Sequence, residues 1–385
     1  MKRVVRGIGS AVAEPGRTVY GEWRGWPYAD GAVESLPLII AQGRSPGPCL
    51  WLTAGIHGDE QSGPAVLYQL VSEDLVRDLK GTVVAMPALS PLGLRSHRHI
   101  PDHVRKNPNR VWPDPRPGTT QDEDDPDRTS MEAAYLRLFR DIVETADLLI
   151  DFHNAWPRSL SFALRDRILF DHRQIDAALR AETLARRQDE MLQAYGHTIV
   201  GEFPPRRYLE EGLHRSLSAS VLLGAGIPAF TAELGPGGPP SDSVVAAAVA
   251  GTRNVMRWAG MLNGPSEPIV GIPVVDGERR LRRTRALKAP EPCIVRHVVS
   301  GGDHVARGDV VASIRDAWGR PLGDGTMRSP CDGIVLGVCE NVYCDISTTV
   351  VYLAIEDDAP RIAAYEDASR ASSSDVNHLA STAPL

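Results

Sequence analysis

The sequence predicts an α/β fold: a mostly parallel sheet flanked by helices over residues 1–265, a small all-β domain over 266–360 and a flexible tail over 361–385. Three observations predict it. Apolar runs of strand length alternate with segments of helical period through the first two thirds of the chain, the pattern of parallel-sheet α/β proteins. The pattern changes at 264–272 (GPSEPIVGI), beyond which come short Val, Ile and Leu runs punctuated by Gly and Asp. The last stretch carries five serines and a Pro-Leu end.

In chain order, 36–42 (LPLIIAQ) and 49–55 (CLWLTAG) read as buried strands joined by the turn 43–48, as in a hairpin or sheet edge. Val66, Leu67, Leu70, Val71, Leu75 and Leu79 fall at helical spacing and predict a helix over 62–79. Another strand follows at 81–87. Residues 88–130 have no periodicity and are rich in Pro, Arg, His and Asp; an irregular span of that length in a compact domain is functional or disordered. A helix over 130–145 precedes 146–153 (ADLLIDFH), whose continuous apolar centre marks a strand buried on both faces. Then come a helix over 175–195, a strand over 227–234 and a helix over 241–262. The β-rich end contributes CIVRHVV, DVVASI, GIVLGV and TVVYLAI, with no obvious internal repeat.

Composition narrows the class. The 385 residues include 42 Lys+Arg and 49 Asp+Glu, a formal net charge of −7, with 42% hydrophobic and 24% charged residues. That balance belongs to a globular protein rather than a disordered one, and its acidity argues against a nucleic-acid partner. The 35 glycines and 30 prolines call for many tight turns. Cysteines at 49, 293, 331, 339 and 344 form no C-x-x-C pair, so free thiols in a reducing compartment are expected. The start MKRVVRGIGSAVAEPG lacks the apolar core of a signal peptide, and no apolar stretch approaches the ~20 residues that span a bilayer. A cytoplasmic protein without membrane contacts is the expectation.

Three short motifs carry chemistry. In Gly55-Ile-His57-Gly58-Asp59-Glu60, at a strand exit, His57 and Glu60 sit three positions apart, so one turn brings an imidazole and a carboxylate to a common point suited to zinc. Gly55 and Gly58 allow the bend. Taken alone, H-x-x-E also fits a solvated helix start. Asp151-Phe-His153-Asn154 closes a buried strand, where open α/β sheets place their ligands. His153 would complete a His/Glu/His set with one position open for water, and Asp151 would fix its tautomer. On its own, His153 equally fits a core histidine bonded to a backbone carbonyl. Thr231-Ala-Glu233-Leu-Gly235 closes a third apolar strand; Glu233 there suits a general base toward metal-activated water, or simply a surface glutamate.

The three motifs, in this order and each at a strand end, resemble the succinylglutamate desuccinylase/aspartoacylase family of zinc carboxypeptidase-like hydrolases over roughly 30–355. The resemblance implies a zinc carboxypeptidase-like sheet, one Zn2+ per chain held by His57, Glu60 and His153, and Glu233 as catalytic base and acid. The family's substrate loop reads approximately R-x-x-P-x-D-x-x-D-L-N-R-x-F-P-G. Here it reads Arg98-His-Ile-Pro101-Asp102-His-Val-Arg-Lys-Asn-Pro-Asn109-Arg110-Val-Trp112-Pro113. By that match Arg110 grips a substrate carboxylate through paired hydrogen bonds, Asn109 adds an amide contact, and Arg98 polarises the scissile carbonyl. Asn107-Pro108 replaces Asp-Leu, and one extra residue separates Arg98 from Asn109, so Arg95 and Arg105 are alternatives to Arg98.

The β-rich end, with Ser300-Gly301-Gly302-Asp303 and Ser329-Pro330-Cys331-Asp332-Gly333, resembles a biotinyl/lipoyl-like module. It lacks a lysine between its halves, which argues against a carrier role and for a cap over the zinc cleft, with Tyr343 as a residue that could reach the site. The expected activity is zinc-dependent hydrolysis of the amide bond of an N-acyl amino acid or a related small N-acyl compound. Carboxypeptidase action on short peptides and a non-catalytic zinc- or ligand-binding protein on the same scaffold are the alternatives. A small-molecule substrate and a possible homo-oligomer are the expected partners. Specificity is expected in loops such as 154–170 and 202–216, which carry Arg158, Arg165, Arg206, Arg207, His214 and Arg215.

Overall fold

The computed structural model describes residues 5–101, 106–119, 122, 125–275, 280–340 and 342–370. Its centre is a mixed sheet. The strands are β1 (Arg17–Pro27), β2 (Val33–Gln42), β3 (Ser45–Ala54), β4 (Lys80–Met86), β5 (Leu148–Ala155), β6 (Ser161–Arg165), β7 (Thr198–Gly201), β8 (Ala229–Pro236) and β9 (Leu281–Lys288). Beyond them lie β10 (Cys293–His297), β11 (His304–Val305), β12 (Val310–Arg315), β13 (Pro321–Arg328), β14 (Gly333–Val338), β15 (Tyr343–Cys344) and β16 (Thr349–Glu356). Twelve strands form one sheet in the order β11-β14-β16-β9-β7-β6-β8-β5-β3-β4-β2-β1. The central pairs β4–β3, β3–β5 and β5–β8 are parallel, as their continuous apolar sequences require.

Both faces of this sheet are covered. Alternation along β3 and β5 sends Leu50, Leu52, Leu148 and Ile150 to one side, against the helices α1 (Ser62–Leu70) and α7 (Asp242–Trp258). Trp51 and Leu149 point to the other side, against α3 (Ser130–Thr145) and α6 (Leu217–Ala225). Between these in sequence lie α2 (Pro91–Ser96), α4 (Ala177–Tyr195) and α5 (Pro205–Glu210). A capping box starts α3: Thr129 accepts from the Glu132 backbone, and the Glu132 side chain accepts from Thr129.

Two local expectations are corrected. The strands β2 and β3 do not form a hairpin, because β4 lies between them, antiparallel to β2 and parallel to β3. The connection 43–48 packs on the start of β4: Gly43 donates to the Gly81 carbonyl, and a side chain at Gly81 would lie 2.0 Å from the Pro48 oxygen. The helix expected over 62–79 breaks after Leu70, where Val71 leaves helical geometry (ψ 66°), and a single turn resumes at Leu75–Asp78. Leu75, Val76 and Leu79 nonetheless enter the same core as Leu67 and Leu70, so the apolar spacing reports burial across the break.

The C-terminal strands are antiparallel and divide between two sheets. The strands β16, β14 and β11 continue the large sheet through β9, whose Arg282 pairs with Gly201 of β7, while β13-β12-β10-β15 form a second sheet. Past them, Ile362–Ala364 pairs with Ile168–Phe170 and is followed by a short helix, Tyr365–Arg370. The remaining residues of the expected tail lie outside those described. No helix among the described residues is long and apolar enough to cross a membrane.

Candidate metal and substrate site

The three motifs meet at the carboxyl ends of β3, β5 and β8. Gly55 leaves β3 with φ +64°, and the His57–Glu60 turn is then clamped from two sides. Gly58 donates to the Arg98 carbonyl at 3.0 Å, and Gly238, just past β8, donates to the Asp59 carbonyl at 3.3 Å. A Cβ on Gly58 would lie 1.9 Å from the Gly93 oxygen of α2, so only glycine fits between turn and helix. Alternation along β5 puts Asp151 and His153 on the α3/α6 face, and Glu233 of β8 is in register with His153.

Asn154 ties the three segments together. Its side-chain oxygen accepts from the Ser62 backbone at 3.1 Å, and its amide donates to the carbonyls of Leu234 (3.0 Å) and Pro236 (2.9 Å). One side chain thus fixes the start of α1, the end of β5 and the end of β8.

Both imidazoles turn Nδ1 toward Glu60. His57 Nδ1 lies 2.8 Å from Oε1, and His153 Nδ1 lies 2.8 Å from Oε2. The outward nitrogens are held as well: His57 Nε2 meets Asn107 Oδ1 at 3.1 Å, and His153 Nε2 meets Asp151 Oδ2 at 2.8 Å. Thr53 in turn donates to Asp151 Oδ1 at 2.7 Å, which fixes the carboxylate that fixes the ring. All three are buried, with His57 5%, Glu60 6% and His153 3% exposed. Burial lowers His57 and leaves a neutral imidazole, the form that ligates metals. Burial works to raise Glu60, but His57 and His153 hold it well below the usual carboxylate range.

This donor set fits a divalent ion. Both Glu60 oxygens face an imidazole nitrogen, and Glu233 Oε2 beside them is buried without a hydrogen bond. Two imidazoles aimed at one buried carboxylate, with a second carboxylate oxygen unspent beside them, form a set that a cation would satisfy. Burial pushes Glu233 up to about 8, with the Glu60 charge adding to the rise and His153 opposing it.

His99 is a neighbour that no sequence motif singled out. Its ring stacks on His57 at 3.7 Å, its Nδ1 lies 3.0 Å from Asp59 Oδ1, and one donor atom of each of His57, Glu60 and His99 lies within 4.8 Å of the other two. Its only sequence signal was a place in the Arg98 segment.

The substrate loop is partly brought in. Asn109 is buried, with Nδ2 3.2 Å from His153 Nε2 and Oδ1 accepting from Leu217 at the start of α6. Its Oδ1 thereby ties the loop to the start of α6, with Nδ2 lying beside the ring nitrogen that donates to Asp151. Arg110 follows it and donates to the Asn109 carbonyl at 2.7 Å. Arg98 is exposed and meets the His57–Glu60 turn through its backbone carbonyl. Of its alternatives, Arg95 is exposed and 3.6 Å from Glu34, and Arg105 lies outside the described residues. Tyr343 is exposed on β15.

The catalytic-domain model of succinylglutamate desuccinylases and aspartoacylases matches residues 46–259. The chain belongs to the succinylglutamate desuccinylase/aspartoacylase family. This family of deacylases also supplies similar solved structures. One is a succinylglutamate desuccinylase/aspartoacylase from Rhodobacter sphaeroides, 19% identical, covering 88% of this chain and 96% of that one with a TM-score of 0.69. Another is the product-bound ectoine utilization protein EutE (DoeB) from Ruegeria pomeroyi, 21% identical, covering 90% and 98% at 0.68. A third is an aspartoacylase family protein from Mesorhizobium loti, 20% identical, covering 91% and 99% at 0.66. At these identities the likeness is one of fold. No curated protein sequence matches the chain.

Proposed function

We propose that this desuccinylase/aspartoacylase family member is a zinc-dependent deacylase that hydrolyses the amide bond of a small N-acyl amino acid. The reading rests on the convergence of His57 Nδ1 and His153 Nδ1 on Glu60 with Glu233 in register beside them. His57, Glu60 and His153 are the proposed zinc ligands. Zinc supplies Lewis acidity there, polarising the amide carbonyl and lowering the pKa of water toward ~7. Glu233 accepts the proton of the attacking water at its unspent oxygen and returns it to the departing amine. Asp151 keeps the His153 ring oriented through Nε2. Arg110 holds the carboxylate of the amino acid half by paired donors, and Arg98, at the rim beside Gly58, is the cation proposed for the oxyanion.

Metal analysis of the purified protein, combined with amine release from a panel of N-acyl amino acids and dipeptides, tests this. The expected result is one zinc per chain and turnover of N-acyl amino acids in preference to dipeptides, with His57→Ala losing both zinc and turnover. A protein that holds no zinc, or holds it and hydrolyses no amide, would overturn the reading.

A further inference from the structure

The proposed mechanism gives His99 no part, yet the fold delivers it onto the proposed metal ligands. The helix α2 ends at Ser96, and His97 turns the chain in the left-handed region (φ +51°), donating to the Leu94 carbonyl at 3.4 Å. Arg98 is then held on both sides: its N–H donates to the Gly93 carbonyl at 3.2 Å, and its carbonyl accepts from Gly58 at 3.0 Å. The next residue is thereby laid against the His57–Glu60 turn. The His99 ring stacks on that of His57, with centroids 3.7 Å apart and planes 21° from parallel.

His99 Nδ1 lies 3.0 Å from Asp59 Oδ1 and 3.7 Å from Glu60 Oε1, the oxygen that also meets His57 Nδ1. Two ligands of one tetrahedral zinc ion stand roughly 3.3–3.5 Å apart, given bonds of ~2.0–2.2 Å. One donor atom from each of His57, Glu60 and His99 falls within 4.8 Å of the other two, so small movements bring all three onto one ion. Glu60 turns its other oxygen, Oε2, to His153 Nδ1. The carboxylate thus stands between two histidines, and exposure tells them apart. The side chains of His99 and Asp59 are 47% and 38% exposed, that of His153 only 4%. A cation coming from water meets His99 and the Asp59 charge before it meets His153, and a buried metal site needs such a path of entry.

We propose that His57, Glu60 and His99 form a capture site for zinc at the mouth of the proposed metal site, from which the ion reaches its buried position by one ligand exchange, His153 in place of His99. This rests on the zinc reading above and adds the route by which the site is loaded. His57 and Glu60 hold the ion throughout, so it is never released between the two positions. Asp59 draws the cation to the mouth and orients the His99 ring through Nδ1. Because His99 is no ligand of the loaded site, it acts on the barrier alone: it speeds uptake and release by the same factor and leaves the affinity where it was. A residue that merely buttressed His57 would instead change the affinity, through release.

Stopped-flow uptake of Zn2+ by the metal-free full-length protein, release to excess chelator and equilibrium zinc affinity test this together. His99→Phe keeps a stacked ring and removes the donor nitrogens. Uptake and release are both expected to slow by about tenfold or more, the order of one supporting residue's effect on a metal site, with affinity unchanged. His99→Ala is expected to match it, which separates the nitrogen from the stacking. Wild-type uptake in both variants would overturn the capture site. So would a weakened affinity carried by faster release, which would make His99 a buttress of His57. A second arm uses Co2+, whose visible absorption reports its ligands: a folded His153→Ala is expected to keep one ion per chain, bound more weakly, and to lose it when combined with His99→Phe. Equal Co2+ binding by the single and double variants, or none in the single, would also overturn it. A wild type that takes up no zinc would sink the zinc reading and the capture site together. Loading through His99 in a protein that hydrolyses no amide would sink the deacylase reading and uphold the capture site.

Discussion

Glu233 and Asp166, which follows β6 and accepts from the Tyr208 hydroxyl, are both carboxyls buried with one oxygen unspent, and their neighbours set them apart. Glu233 feels the charges of His153 and Glu60, so its proton affinity is tied to the proposed metal site; in the proposed mechanism it moves the proton. Glu233→Gln is therefore expected to retain zinc while its rate of amine release falls by about 10²–10⁴-fold, the usual contribution of a general base. Parallel measurement of metal content and rate checks this, and equal loss of both would make Glu233 a structural residue. Asp166 makes a prediction about stability. Burial first, and then the Glu202 charge, push it up to about 7. A carboxyl whose folded value is raised binds its proton longer in the folded than in the unfolded state, so folding weakens as pH rises from about 4 to 7. Asp166→Asn removes that slope. Urea midpoints at pH 5 and pH 8 should show the variant gaining on the wild type at the higher pH. The gain is at most a few kcal/mol, since each pH unit separating the folded and unfolded titrations carries ~1.4 kcal/mol. A variant that loses ground as pH rises would contradict the assignment.

At the level of elements, the site is made by strand ends, and Asn154 is the piece that aligns them. Asn154→Ala strips partners from the Ser62 backbone and from two carbonyls of β8 at once. At ~1 kcal/mol per hydrogen bond the expected cost is about 2–4 kcal/mol, with weakened zinc retention, because α1 and β8 then float relative to β5. Denaturant unfolding and zinc titration read both; a variant with wild-type stability and zinc affinity would show the clamp to be incidental. The same residue marks how far the sequence was legible. His57, Glu60, His153 and Glu233 could be singled out because each stands in a short motif closing an apolar run, and such runs report buried strands on their own. Asn154 was visible only as the letter after His153, since its partners are 92 and about 80 positions away in the chain. His99, Asp166 and Glu202 lay in stretches without periodicity and acquire meaning only from the fold, His99 by stacking on His57 and the other two by strand register. The misplaced hairpin has the same origin: nothing local to 43–48 tells that a strand from residues 80–86 inserts between its neighbours.

For the molecule as a whole, the C-terminal third carries a lesson that composition hides. The change of pattern at 264–272 reads as the border of a separate module, yet β9 pairs with β7, and Leu160 donates to Leu336 while Val338 donates to Pro157. Charge seals the join. Arg167, 1% exposed, forms paired hydrogen bonds with Asp357 at 2.9 and 3.1 Å and donates to the carbonyl of Phe203 at 2.9 Å. Arg165 and Arg282 lie 3.6 and 3.8 Å from the same carboxylate. Because Asp357 comes from the chain beyond β16 and its arginines from β6, β9 and the connection after β6, a protein ending at residue 265 would leave the β7 edge open and Arg167 buried without a counterion. Such a truncation is expected to show no cooperative unfolding transition. In the full-length chain, Asp357→Asn should cost about 3–5 kcal/mol, the penalty of an uncompensated buried charge. Breaking the exposed pair of Arg186 and Glu190, 2.9 Å apart along α4, should cost under ~0.5 kcal/mol. The contrast between these two variants in the same denaturation assay decides the matter. Equal, small effects would mean that the C-terminal strands merely lie against the large sheet.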